Sequence, residues 1–110
     1  MAIVELNEEN FQQEMDNAFE QKNVVILKFG SEYCVSCHSL ECELEEIDEE
    51  VENVSVFNID TDESAEIAEQ YNVYELPTMV IYSDSETIIY NKSGVILAQD
   101  IEQIIKNKER

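Results

Sequence analysis

Basic residues are scarce in this sequence: its 110 residues include six lysines and arginines against 26 aspartates and glutamates, for a formal net charge of −20 at pH 7. No Lys or Arg occurs between Lys28 and Lys92, and residues 41–52 are mostly carboxylates. Such a surface repels nucleic-acid phosphates and anionic lipid, so we expect no nucleic-acid or membrane partner. A protein partner would present a basic or neutral patch, unless the acidic surface serves only to keep the chain in solution.

Long apolar runs are also missing. No segment approaches the ~20 apolar residues of a membrane span, and the N-terminus lacks the basic and apolar regions of a signal peptide. Two glycines and one proline leave no low-complexity linker, and a composition that is 44% hydrophobic can fill one modest core. We therefore expect a single domain over residues 1–110 that is cytoplasmic and monomeric.

The spacing of apolar residues predicts alternating strands and helices. Apolar, β-branched runs predict strands over residues 3–6, 24–29, 54–59, 78–82 and 87–90. Stripes at spacings of three and four predict a helix capped by Asn7 and helices over residues 34–50, 62–71 and 98–108. The order β-α-β-α-β-α-β-β-α predicts an α/β fold with a mixed sheet of about five strands flanked by four helices.

Polar and charged residues mark the ends of two of these helices. Asp60 or Thr61 can cap the helix that follows the third strand. At the other end of the chain, Lys106, Lys108 and Arg110 are favourably placed for the C-terminal dipole of the last helix.

Three cysteines are too few for a structural disulfide framework in a chain without a signal peptide. Cys34 and Cys37 have C-x-x-C spacing and precede His38, a pattern that fits haem attachment or thiol-disulfide chemistry. A c-type haem usually takes a second axial ligand, whereas this sequence has one histidine and its motif follows a buried strand. Helical steps place Cys42 opposite Cys37, so a closed zinc site would unwind the helix, although a metal cluster shared by two chains remains open.

Redox chemistry suits the predicted geometry of the motif. At a helix N-terminus, the first sulfur lies next to unpaired backbone N–H groups and the positive end of the dipole, which favours a thiolate. Cys34 is therefore the predicted nucleophile. Cys37 lies one turn on in the apolar stripe, where it is shielded and placed to resolve a mixed disulfide. This chemistry needs no bound cofactor and no metal.

From end to end, the chain resembles the thioredoxin family. The matching pieces occur in the family's order: Phe29 with residues 32–37, then residues 58–60, 76–78 and 92–94. The resemblance implies a thioredoxin-like fold and a thiol-disulfide oxidoreductase that reduces protein disulfides through a mixed disulfide. It also implies that the electrons come from a flavoprotein reductase that uses NADPH.

By the same resemblance, Pro77 is a cis-proline that faces the active-site disulfide. Leu76 before it would then offer a free backbone edge to an extended substrate segment. Gly94 matches a family glycine near the substrate surface, where a side chain would crowd the partner. The alternatives are a trans-proline that begins a strand and a simple turn glycine.

Departures from the family pattern surround the cysteines. Tyr33 stands in place of the usual tryptophan, and Val35 and Ser36 replace the usual Gly-Pro between the cysteines. All three are predicted to face the substrate, and the dipeptide tunes the redox poise. Small changes matter, because about 30 mV corresponds to roughly 1.4 kcal/mol for a two-electron couple.

Lys28 takes the place of a buried acid that thioredoxins are thought to use for moving protons to and from the second cysteine. A desolvated lysine could lose its proton and act as a base, or stay charged and stabilise a Cys37 thiolate. Alternatively, its stem packs while the amine reaches water. His38 could assist the thiolates or pass protons near physiological pH, or simply be a solvated residue of the first turn.

Cys42 occupies a position where the family often has a helix-kinking proline. The helical wheel places it on the acidic face, with Glu41, Glu43, Glu45 and Glu46 nearby. Because these carboxylates oppose thiolate formation, we expect an inert thiol; a regulatory or glutathionylated thiol is the alternative.

A rival function from another class is a redox-responsive binding module. The acidic helix, Lys28 and the dipeptide Val35-Ser36 would serve docking to one basic partner. The cysteines would act as a sensor, and turnover would be negligible. A metal-binding scaffold is a third interpretation. Catalytic turnover distinguishes the enzyme from both.

Overall fold

The computed structural model of the chain describes residues 3–107. In that part, five strands and four helices follow the predicted order. The strands are β1 (Val4–Leu6), β2 (Val24–Gly30), β3 (Val54–Asp60), β4 (Thr78–Asp84) and β5 (Thr87–Ser93). The helices are α1 (Phe11–Glu20), α2 (Val35–Glu50), α3 (Ala65–Gln70) and α4 (Ala98–Lys106). The predicted fold class is confirmed.

The strands form one mixed sheet in the order β1-β3-β2-β4-β5. β3 pairs in parallel with both β1 and β2, whereas β4 runs antiparallel to β2 and β5 runs antiparallel to β4. Parallel neighbours require crossover connections, and these place helices on the faces of the sheet. All seven residues of the central strand β2 are buried, in agreement with its uninterrupted apolar run.

Side chains of β2 alternate between two hydrophobic cores, one on each face of the sheet. Ile26 belongs to a cluster with Leu44 of α2 and Ile101 of α4. Its neighbour Leu27 belongs to a second cluster with Met15 of α1 and residues of α3. Because successive strand residues point to opposite faces, one buried strand anchors both helical layers.

The carboxyl end of β2 brings three loops together. The carbonyl of Gly30 accepts the N–H of Thr61 at 2.9 Å, which holds the loop after β3 beside it. Phe29 pairs with Thr78, so the segment that leads into β4 lies on the other side. Since α2 begins at Val35, the segment with the C-x-x-C motif emerges between these two loops.

Two helices begin later than predicted. The side chain of Asn7 accepts two backbone N–H groups of the next turn, at 2.9 and 3.0 Å, but α1 itself begins at Phe11. The side chain of Asp60 likewise accepts a backbone N–H at 2.8 Å, and α3 begins only at Ala65. An asparagine or aspartate oxygen caps an isolated turn as readily as a helix, so the cap residue alone does not locate the helix start.

The last helix agrees with the prediction over the residues that are described. Ile101 and Ile105 are buried, and Lys106 forms a 3.5 Å ion pair with Glu102 one turn earlier. The expected contributions of Lys108 and Arg110 lie outside the described residues.

The longest of these helices, α2, has 16 residues. None of the helices within residues 3–107 has both the length and the apolar character needed to cross a membrane.

Candidate active site

Cys34 and Cys37 are joined by a disulfide at the start of α2. Their Cα atoms are 5.2 Å apart, inside the range that a disulfide can span. Cys34 is the N-cap residue of the helix, and its sulfur accepts the backbone N–H of Cys37 at 3.2 Å. Cys34 is partly exposed, whereas Cys37 is completely buried. An external disulfide can therefore approach Cys34 but not Cys37.

The surroundings of Cys34 favour negative charge on its sulfur. The sulfur lies at the N-terminus of α2, where unpaired N–H groups and the helix dipole supply partial positive charge. The hydroxyl of Ser36 lies 3.5 Å from the same sulfur and can donate a hydrogen bond to it. Once the disulfide is reduced, these donors stabilise a thiolate, which is the nucleophilic form of cysteine.

Gly30 is a site residue that the sequence analysis did not identify. A Cβ on Gly30 would lie 3.1 Å from both Cβ and Sγ of Cys37 and 3.2 Å from Cε of Lys28. Cys37 and Lys28 therefore both border the space that a side chain on Gly30 would occupy. A Gly directly after a buried strand and shortly before C-x-x-C is the sequence signal that could have suggested this close approach.

Adding a side chain at Gly30 is expected to destabilise the oxidised protein. Cys37 cannot easily move to make room, because its backbone is in the first turn of α2 and its sulfur is in the disulfide. We expect Gly30→Val to lower the free energy of unfolding by roughly 1–3 kcal/mol, and Gly30→Ala by less. Urea denaturation of the oxidised variants measures both values, and unchanged stability in Gly30→Val would show that the space is not tight.

Lys28 is a largely buried residue whose amine borders a cavity. Its side chain is only 5% exposed, and it forms no hydrogen bond or ion pair with any residue in the described part of the chain. Together with Glu5, Glu41 and Asp60, it lines a cavity of about 180 Å³. Lys28 and Cys37 both closely approach Gly30, so the lysine side chain lies beside Cys37.

Burial and nearby carboxylates act on Lys28 in opposite directions. Desolvation lowers the pKa of Lys28 from its ordinary value of 10.5, and this effect outweighs the upward pull of Glu41, Glu5 and Asp60. Lys28 therefore loses its proton at a lower pH than an exposed lysine does, and the resulting neutral amine can accept a proton. The amine nitrogen itself is not fully buried and borders the cavity, which fits the alternative in which the stem packs while the amine reaches water.

His38 lies on the exposed side of the first turn of α2. Its Nε2 is 3.2 Å from the backbone carbonyl of Glu32 and can donate a hydrogen bond to it. His38 also lines the cavity that contains Lys28. This places a titratable ring between the cavity and solvent, which is compatible with both interpretations of the residue.

The Leu76-Pro77 peptide bond is cis, as predicted. The carbonyl of Pro77 accepts the N–H of Gly94 at 2.9 Å, so both candidate substrate residues lie together at the start of β4. Within the described residues, the backbone of Leu76 makes no hydrogen bond to another backbone group. Gly94 has a φ of +103° and open space where a side chain would be, so the turn itself explains the glycine.

Exposed apolar residues accompany the disulfide. Tyr33 is 86% exposed and Val35 is 82% exposed, although both are large and largely apolar. Tyr74, three residues before Pro77, is 87% exposed and was not singled out from the sequence. Apolar side chains this open are typical of contact surfaces when they cluster, and these belong to two of the three loops at the carboxyl end of β2.

Cys42 is an exposed free thiol on α2, as the helical wheel predicted. It lines a groove of about 720 Å³ with carboxylates of the same helix, including Glu41, Glu45 and Glu46. Glu43 does not line this groove and instead accepts the backbone N–H of Ala98 at 2.8 Å. It lies in the middle of the helix, away from the unpaired N–H groups that surround Cys34.

Alkylation of the reduced protein at neutral pH is expected to modify Cys34 before Cys42. Cys34 has hydrogen-bond donors for a thiolate, and we expect its rate to be roughly tenfold higher or more. Iodoacetamide labelling followed by peptide mass spectrometry measures each rate, with Cys42→Ser as the control. Equal rates would contradict the proposed activation of Cys34.

No group of three or more metal-ligating side chains occurs within residues 3–107. Cys34 and Cys37 are occupied by their mutual disulfide, and Cys42 is exposed on another face of α2. Within this part of the chain, the three cysteine sulfurs and His38 thus do not form one metal-binding site.

Comparisons with known proteins agree with this geometry. The family model described as Thioredoxin matches residues 2–107. The thioredoxin of Bacillus subtilis (strain 168) is 32% identical over 89 residues, which cover 80% of this chain and 81% of that protein. The thioredoxin of Buchnera aphidicola subsp. Acyrthosiphon pisum (strain APS) is 27% identical over 104 residues, which cover 94% of this chain and 93% of the relative.

Among solved structures, chloroplastic thioredoxin z superposes with a TM-score of 0.86 at 25% sequence identity, covering 99% of this chain and 96% of its own. The similarity therefore includes the whole sheet and its helices, as well as the C-x-x-C segment. With the Cys34-Cys37 disulfide in place at the start of α2, the chain belongs to the thioredoxin family of thiol-disulfide oxidoreductases.

Proposed function

We propose that this chain reduces protein disulfides, with Cys34 as the nucleophile and Cys37 as the resolving cysteine. The observation that carries this assignment is the difference between the two sulfurs. Cys34 is partly exposed and accepts an N–H from the helix start, while Cys37 is completely buried behind it. A nucleophile must be reached by the substrate, whereas a resolving thiol must reach only the mixed disulfide.

The reaction proceeds in two exchanges. The Cys34 thiolate attacks one sulfur of the substrate disulfide and displaces the other as a thiolate, which takes up a proton. Cys37 then loses its proton and attacks Cys34, which breaks the mixed disulfide and releases the second substrate thiolate. Two electrons pass from the dithiol to the substrate, and the chain is left with the Cys34-Cys37 disulfide that the structure contains.

The substrate segment is proposed to lie across the loops around the disulfide. Among residues 3–107, the backbone of Leu76 has no backbone partner, and an extended peptide can pair with such an edge. Pro77 and Gly94 border the same position, since the N–H of Gly94 is bonded to the carbonyl of Pro77. The remaining contacts would come from Tyr33, Val35 and Ser36, which are exposed in the C-x-x-C segment.

Lys28 is proposed to handle the proton of Cys37. Both residues closely approach Gly30, and burial lowers the lysine's pKa, so a neutral amine could accept the proton that Cys37 must lose. In its charged form, Lys28 would instead stabilise the Cys37 thiolate by its charge. His38, at the edge of the same cavity, would exchange that proton with solvent.

The cellular setting is proposed from the same chemistry. No bound cofactor is required, because the dithiol carries the electrons, and a flavoprotein of the thioredoxin-reductase type would restore it. A free, exposed Cys42 suits a reducing compartment such as the cytoplasm. The chain would act as a monomer in which residues 1–110 form one domain, as its continuous sheet and two shared cores favour.

Insulin reduction with dithiothreitol as the electron source tests this proposal. The wild-type chain is expected to accelerate the precipitation of reduced insulin over dithiothreitol alone. Absence of acceleration would support the redox-responsive binding module instead. Coloured or metal-containing purified protein would support the metal-binding scaffold.

A further inference from the structure

Each of the three loops at the carboxyl end of β2 carries exposed carboxylates. Glu32 lies in the segment that leads to Cys34, and Asp62 and Glu63 lie in the loop after β3. Glu75 lies in the segment before β4. The hydrogen bond from Thr61 to Gly30 and the pairing of Phe29 with Thr78 hold these loops on either side of the motif.

Positive charge at this end of the described sheet is limited. Lys92 of β5 pairs with Met79 of β4, and the lysine amine lies 5.9 Å from the ring centre of Tyr90. Lys28 is buried beside Glu5, Glu41 and Asp60, and His38 is the remaining titratable base. Carboxylates therefore outnumber bases among the groups that an approaching substrate meets.

We propose that the substrates of this chain are protein disulfides flanked by lysine or arginine, and that acidic disulfides react slowly. Tyr33, Val35 and Tyr74 supply an apolar contact at the disulfide, while the surrounding carboxylates select the charge of the partner. The proposal rests on the disulfide-reductase function proposed above, because the charge acts on the approach of a substrate disulfide to Cys34.

The physical basis is electrostatic steering of the first exchange. Attack by a thiolate on an acidic substrate brings like charges together, whereas basic flanks are attracted by the exposed carboxylates of these loops, Glu32, Asp62, Glu63 and Glu75. Exposed charges interact over a Debye length of about 8–10 Å at moderate ionic strength, so salt should weaken the selection.

A set of matched peptide disulfides tests the proposal. Short peptides that contain leucine and one cysteine, joined as disulfide dimers, differ only in having lysine, glutamine or glutamate beside the cysteine. The chain, reduced beforehand and freed of reductant, is mixed with each dimer, and release of peptide thiol gives the rate constant. Each value is divided by that for dithiothreitol at the same salt concentration, because flanking charge also alters the intrinsic reactivity of a disulfide.

At low salt, the lysine dimer is expected to react roughly tenfold or more faster than the glutamate dimer after this correction. The ratio should fall towards one at about 1 M salt, where the Debye length is ~3 Å. A corrected ratio near one at low salt, with the glutamine dimer still reduced, would contradict the charge selection but not the reductase function. Failure to reduce any dimer would contradict the reductase function itself.

Two pairs of charge-neutralising substitutions locate the effect. Glu32→Gln with Glu75→Gln is expected to lower the lysine-to-glutamate ratio at least about threefold. Glu49→Gln with Glu50→Gln removes the same charge from exposed positions at the other end of α2, about 20 Å from its start, and should leave the ratio nearly unchanged. Equal effects of the two pairs would show that net charge, and not the carboxylates of the three loops, sets the preference.

Discussion

Replacing Cys34 with serine is expected to reduce insulin turnover to the background rate of dithiothreitol alone. A serine hydroxyl at the start of α2 cannot replace a thiolate, because it is not ionised at neutral pH and cannot form a disulfide. Cys42→Ser is the matched control, since it removes the other exposed thiol and leaves the disulfide intact. Turnover that survives Cys34→Ser but is lost in Cys42→Ser would contradict the proposed nucleophile.

The companion substitution Cys37→Ser is expected to stop the reaction one step later. Cys34 should still attack, but no buried thiol remains to displace the substrate, so a mixed disulfide accumulates. Non-reducing electrophoresis and mass spectrometry of the linked peptides identify the attached cysteine, which should be Cys34. A linkage through Cys42 would show that the exposed thiol of α2 is the reactive group.

Lys28→Met is expected to make the protein more stable near pH 7, by roughly 1–3 kcal/mol, because methionine fills the same space without the cost of partly desolvating a charged amine. Burial lowers the folded-state pKa of Lys28 below 10.5, so between these two pKa values the unfolded chain binds more protons. Wild-type stability therefore rises with pH across that window, and the advantage of the methionine variant shrinks as the pH approaches 10.5.

Urea denaturation at several pH values measures this difference, and Lys92→Met provides a control at an exposed lysine. The pH profile of insulin reduction measures the catalytic part. If Lys28 handles the proton of Cys37, the profile of Lys28→Met should be displaced from that of the wild type, while Lys92→Met follows the wild type. Superimposable profiles would show that Lys28 does not handle the proton of Cys37. A variant without greater stability at neutral pH would contradict a net desolvation cost at Lys28.

Much of the fold follows from local patterns. The run from Val24 to Phe29 predicts a strand buried on both faces, and all of β2 is buried. The stripe of Cys37, Leu40, Leu44 and Ile47 predicts the inner face of α2, and these four residues are buried. Such patterns work because a strand or helix must place its apolar residues against a core at a fixed period.

The unpredicted features depend on contacts between distant segments. Gly30 matters because the first turn of α2 returns to cover it, which brings Cys37 and Lys28 to the same point. Tyr74 is notable only because the fold leaves it exposed near the start of β4. The cavity beside Lys28 is formed by residues from β1, β3 and α2, and no local spacing relates those positions.

The reduction potential of the Cys34-Cys37 pair tests the central claim most directly. Equilibration with glutathione or dithiothreitol buffers, read by mass spectrometry after thiol trapping, gives the value for this pair separately from Cys42. A protein-disulfide reductase is expected to have a potential near about −270 mV, below the roughly −200 to −230 mV of glutaredoxins. A value between about −120 and −180 mV would contradict reduction as the chain's function, because that range belongs to proteins that form or rearrange disulfides.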